Sequence, residues 1–93
     1  MDIAASEALE RVRRWEKRAT YLNGMLLSNS SLMLVKFAGR VTIHKDVITF
    51  MENSFEFCLS LTPTMAFKYS NAGLEIIAAE WCAVLYEPKE WTR

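Results

Sequence analysis

The sequence predicts a mainly β domain of the α+β class: one N-terminal amphipathic helix followed by a five-strand antiparallel meander, bent strongly enough to make a small open barrel. Three observations carry this reading. From Ser6 to about Leu22 the apolar residues Leu9, Val12, Trp15, Ala19 and Leu22 are spaced 3, 3, 4 and 3, the stripe of a helix with one buried face. In Leu32–His44 the residues Met33, Val35, Phe37, Val41 and Ile43 alternate with Lys36, Arg40, Thr42 and His44, the period of a half-buried strand, and Gly39 sits in its middle. From Lys45 onward, short apolar runs are divided by the turn signals Lys45-Asp46, Asn53-Ser54, Thr62-Pro63-Thr64 and Asn71-Ala72-Gly73, so antiparallel neighbours are the economical topology.

Taken in order, the helix is rich in Ala, Leu, Arg, Glu and Lys, all good helix formers. Ser6 or Asp2 is the expected N-cap, and Asn23-Gly24 the expected C-terminal stop. Met25-Leu26-Leu27 continues apolar after that stop, and Ser28–Ser31 is a polar connection. The strand Leu32–His44 should bend near Gly39, because a glycine in mid-strand marks a bulge or sharp turn of the backbone, and so serve two halves of a curled sheet. Val47–Glu52 is β-rich without clear alternation. Phe55, Phe57, Leu59 and Leu61 alternate cleanly, as do Met65, Phe67 and Tyr69. Leu74–Tyr86 fits a helical stripe through Leu74, Ile77, Ala78, Trp81 and Leu85, but its β-branched and aromatic ends favour a bent strand that switches faces at a bulge near Ala78-Ala79. Pro88 ends it, and Trp91 makes the tail apolar.

Ninety-three residues, 52% apolar and 24% charged, suit one domain with a single core. Residues 1–24 are its helical part, 31–86 its sheet and 87–93 its tail. No apolar run approaches a membrane span of about 18–20 residues, and the N-terminus has neither the basic nor the apolar region of a signal peptide, so a cytoplasmic setting is expected. In that setting Cys58 and Cys82 read as buried apolar side chains and not as a disulfide. The net charge is zero, which disfavours general polyanion binding. Residues 1–46 nevertheless carry eight bases against five acids, and residues 47–93 three bases against six acids.

The order of elements, helix first and then a bent five-strand meander, resembles the Sm-like barrels in that order only. Their G-x-L-x-x-x-D and M-N signatures do not align, since Gly39 and Asp46 stand one residue too far apart and Met51 is followed by Glu52. The alternative architecture is a helix cradled by a curved sheet, similar to cystatin-like folds.

The densest cluster of charge is Arg11–Arg18, R-V-R-R-W-E-K-R. Bases around an aromatic are what phosphate contacts with stacking require. Glu7 lies four residues before Arg11 and Glu10 four before Arg14, so a salt-bridged, solvated helix face explains the same residues. Arg14-x-x-x-Arg18 matches the arginine pair of PilZ barrels, but their [DN]-x-S-x-x-G partner motif is missing. His44 is the single histidine, a poor basis for a metal site. Formally it could pair with Asp46 or with Cys58, and Glu52 and Glu56 could face each other across the Asn53-Ser54 turn as an acid/base pair. Such residues more often pack a strand or keep a hairpin soluble, so no catalytic set, metal or cofactor is expected. The common nucleotide loops are also absent.

Three Trp, three Tyr, five Phe and five Met exceed what one small core hides. The leading expectation is therefore a non-enzymatic, homo-oligomeric interaction module whose partner is itself. One alternative is a single-stranded nucleic-acid binder using Arg11, Arg14, Arg18, Lys36 and Arg40. Another is a small apolar-ligand carrier with a pocket at Phe37, Phe57, Phe67 and Trp81.

Overall fold

The computed structural model describes residues 2–29, 33–62, 64–71 and 73–86. A short strand β1 (Asp2–Ile3) leads into α1 (Ala5–Lys17), and seven strands follow: β2 (Tyr21–Ser28), β3 (Leu34–His44), β4 (Val47–Glu52), β5 (Phe55–Ser60), β6 (Ala66–Tyr69), β7 (Gly73–Ile77) and β8 (Trp81–Tyr86). All eight join one antiparallel sheet in the order β1-β6-β7-β8-β2-β3-β4-β5, which does not close into a barrel. One helix on an antiparallel sheet is the α+β architecture expected. The strand count is eight where five are expected, and β2 and β8 pair to join two runs of consecutive hairpins. The tail at 87–93, with Pro88 and Trp91, and the breaker Pro63 lie outside the described residues.

The helix ends five residues before the expected Leu22. Arg18 is its C-cap, the Thr20 amide donates to the Trp15 carbonyl at 2.9 Å and the Ala19 amide to the Glu16 carbonyl at 3.0 Å. Those two bonds form a Schellman motif, with Ala19 in the left-handed conformation at φ 52°. Glycine usually fills that position, and an alanine there costs about 1–2 kcal/mol, so the sequence gives no stop signal. At the other end Ala4 is the N-cap without a side-chain bond. Asp2 lies in β1 and Ser6 inside the first turn, so neither caps the helix. The buried helix residues are Ala8, Val12 and Trp15, four and three apart, on the face laid against the sheet.

Asn23-Gly24, expected to end the helix, is instead the middle of β2. Gly24 lies beneath the Phe37 ring, and a Cβ there would collide with Phe37 Cε2 and Cζ. The glycine is thus room for a neighbouring aromatic. Within β3 the alternation holds, with Phe37, Gly39 and Val41 buried and Lys36, Arg40 and His44 exposed, but Met33, expected on the buried face, precedes the strand and is 56% exposed. Its first half, Leu34–Arg40, pairs with β2 and its second half, Arg40–His44, pairs with β4, so the pairing changes hands beside Gly39. A Cβ on Gly39 would lie 2.6 Å from the Met51 amide nitrogen and 2.8 Å from the Met51 carbonyl oxygen. The glycine therefore makes room for a close approach of the β4 backbone. On the edge of β3 that β2 leaves uncovered, the Val41 amide donates to the Thr20 carbonyl at 3.1 Å and the Ile43 amide to Glu16 Oε2 at 3.3 Å. The end of α1 satisfies that edge in place of a strand.

Leu74–Tyr86 is a hairpin and not one bent strand. The Ala78 amide donates to the Trp81 carbonyl at 2.9 Å, closing the turn between β7 and β8. The face switch expected at Ala78-Ala79 occurs, since β7 buries Leu74 and Ile76 while β8 buries Ala83 and Leu85, but a chain reversal makes it. The core so built holds Phe37, Val41, Phe50, Leu59, Leu74, Ile76 and Leu85 under the helix. Among the described residues no helix is long and apolar enough to cross a membrane.

Candidate interaction surfaces

Arg11, Arg14 and Arg18 line one shallow recess with Trp15, as positions three and four apart on a helix must. The Arg11 guanidinium carbon stands 3.8 Å from the centroid of the Tyr69 ring, on β6, and its Nε is buried without a hydrogen-bond partner. The expected ion pairs are only partly made. Glu7 Oε2 lies 3.9 Å from Arg11 Nη2, while no Glu10–Arg14 pair occurs among the described residues. Glu16 on the same helix is committed to the Ile43 amide. Lys36 and Arg40 do not join the recess: both belong to the outward set of β3, and Lys36 lines a separate groove with Asn23, Phe37, Ala38, Glu52 and Phe55.

The aromatic residues also divide. Phe37 and Phe57 stack with centroids 4.3 Å apart and planes at 16°, and Phe50 tilts against Phe37 at 4.8 Å. These rings fill the space between β3, β4 and β5 with each other. Phe67 lines a different recess with Ala5, Leu9, Asp46, Leu61 and Thr62. Trp81, half-buried on β8, packs against the core edge. Of the four expected pocket residues, Phe37 and Phe57 therefore meet, but they fill the space with each other, while Phe67 and Trp81 lie elsewhere.

Neither the Glu52–Glu56 pair nor the His44–Cys58 pair is assembled. Glu56 stands opposite Met51 and Glu52 opposite Phe55, so the two glutamates point to opposite faces of the hairpin. Glu52 instead accepts a hydrogen bond from the Tyr21 hydroxyl, which raises the phenol pKa because ionisation would destroy the donor. Cys58 stands opposite Thr49, its sulfur 3.6 Å from Thr49 Oγ1. His44 is two strands away and two residues further along, about 12 Å between α-carbons by strand geometry. Both cysteines are free, and Cys58 is exposed on the outward set of β5 where burial was expected. No three His, Cys, Asp or Glu side chains gather as a metal set among the described residues.

Two other features of the surface stand out. The registers place Ala66, Ile77, Cys82, Leu27 and Leu34 in one outward row across β6, β7, β8, β2 and β3. Leu27 is 41% and Leu34 52% exposed in that row, a band of apolar surface on the side away from the helix. The second feature is β5, the last strand of the sheet, six residues long with no strand beyond it among the described residues. The Leu61 amide donates to the Asp46 carbonyl at 2.7 Å, so the odd-numbered residues after the hairpin bond inward to β4. Backbone groups alternate, so those of Glu56, Cys58 and Ser60 point to the open edge. Phe55, at the start of that edge, is 53% exposed. Sequence reasoning found β5 but not its edge position, since strand order is set by pairings between residues far apart in the chain.

No known protein family matches the chain, and comparison with curated proteins and with solved structures finds none similar to it.

Proposed function

We propose that this chain is a non-enzymatic interaction module that works as a homo-oligomer. The observation that carries the reading is the β5 edge. Proteins that stay monomeric protect such an edge with lysine, proline, a bulge or a covering loop. Phe55–Ser60 holds neither lysine, proline nor glycine, and Glu56 is its single charge. The outward apolar row through Leu27 and Leu34 supports the same reading, because contiguous exposed apolar surface marks contact sites. Native mass spectrometry of gently purified protein tests it. The expected result is a discrete oligomer with no added mass. A monomer, or a species carrying a bound small molecule, contradicts it.

A second reading rests on the arginine recess: binding of phosphate groups on a single-stranded nucleic acid. Its support is that three arginines line one recess while Arg11 alone is paired to a carboxylate, that of Glu7, among the described residues. Three phosphate contacts give a log–log salt slope of about −2 for a single strand. Fluorescence anisotropy with a labelled oligonucleotide should show that slope, and Arg14→Glu with Arg18→Glu should abolish binding. A salt-independent signal removes the reading.

A further inference from the structure

Resting on the homo-oligomer reading, we infer that two copies pair β5 to β5 about a two-fold axis through Cys58, joining their sheets into one. The register follows from the backbone. In a sheet the same face must stay on the same side, so residue numbers paired across an antiparallel two-fold contact sum to an even number. The groups free to bond belong to Glu56, Cys58 and Ser60. One register pairs all three among themselves: Cys58 with its own copy, Glu56 with Ser60 of the second copy, and Ser60 with its Glu56. Each pair exchanges two backbone hydrogen bonds, six in all.

The side chains suit this register and not its neighbours. Shifting by two residues in one direction sets Glu56 against Cys58, and by four sets Glu56 against Glu56, two like charges directly opposed. In the register through Cys58 each Glu56 carboxylate faces a serine hydroxyl that can donate to it. The two Glu56 residues are then offset by four positions, about 13 Å along the strands, beyond the screening length of about 8 Å. On the inner face Phe57 meets Leu59 and Phe55 meets Leu61, so the exposed Phe55 ring gains an apolar neighbour. An isologous contact of this kind closes on itself and stops at two copies. A peptide of another protein could add to the same edge, but nothing on it selects a foreign sequence, whereas its own sequence is self-complementary.

The two Cys58 α-carbons would lie about 5.5 Å apart, within reach of a disulfide. The test uses the full chain with Cys82→Ser, leaving Cys58 as the one thiol, and diamide as oxidant. Two thiols give up two protons and two electrons, the sulfurs join, and diamide becomes the hydrazine. The expected result is rapid conversion to a covalent dimer that reductant reverses. Moving the thiol to Ser60 (Cys58→Ser, Cys82→Ser, Ser60→Cys) should give no cross-link, since those positions are about 13 Å apart across the axis. Cys58→Lys, which sets two ammonium groups face to face, should weaken dimerisation by about tenfold or more with an unchanged circular dichroism spectrum. A dimer in sedimentation that does not cross-link through Cys58 overturns this interface and leaves the homo-oligomer reading standing. A monomer at all concentrations overturns both.

Discussion

Replacing Gly39 with alanine should cost the fold about 3 kcal/mol or more, a large part of the 5–15 kcal/mol by which domains of this kind are stable. The reason is what a methyl group would meet. Its nearest neighbours are the Met51 amide nitrogen and carbonyl oxygen and the Phe50 carbonyl carbon, all within 2.8 Å. None is the end of a flexible side chain, so relief requires β4 to move away from β3. That separates Val41 from Phe50, both fully buried partners in the ladder, and opens the core at its centre. Urea unfolding should show a large fall in midpoint, and Gly39→Ser should do no better. Ala38→Ser, next door on the outward set, is the control and should stay within about 0.5 kcal/mol of the parent.

Gly24→Ala should be the next most damaging change, at about 2–3 kcal/mol, and its effect should depend on Phe37. The new methyl would run into Cε2 and Cζ of the Phe37 ring, which is held in place by stacking on Phe57 at 4.3 Å and by Phe50 at 4.8 Å. Phe37→Ala alone should cost about 3–5 kcal/mol for the lost ring and the cavity it leaves. With both changes the collision is gone, so the double variant should lose at least about 1 kcal/mol less than the two single losses added. Val84 O, 3.1 Å from the same methyl, keeps the rescue incomplete. Additive losses would mean that the two residues do not touch in the way described.

The alternation in Leu32–His44, Phe55–Leu61 and Met65–Tyr69 made those strands legible, because one buried face imposes period two whatever the partner strand. Val47–Glu52 was legible from its flanking turns. β2 was not, for a physical reason: Asn23-Gly24 carries a stop signal locally, while the glycine answers to Phe37, thirteen residues away. The helix end was hidden the same way, since Ala19 takes a conformation that alanine rarely announces. The surfaces were legible only in part. The arginines on one helix were placed together by spacing alone, whereas Lys36 and Arg40 joined them only on the assumption of a shared face that the sheet denies. Of the four pocket aromatics, Phe37 and Phe57 meet, while Phe67 and Trp81 are carried elsewhere for the same reason. Strand order decides which side chains meet, and no local pattern encodes it.

Amide hydrogen exchange along β5, followed as the protein is diluted, tests the central claim most directly. The amides of Phe57 and Leu59 bond within the chain to β4, and those of Glu56, Cys58 and Ser60 point to the open edge. If a second copy covers that edge, the three even-numbered amides are protected at high concentration and lose protection together on dilution, while the odd-numbered ones hold theirs throughout. Even-numbered amides that exchange freely at every concentration would contradict the claim.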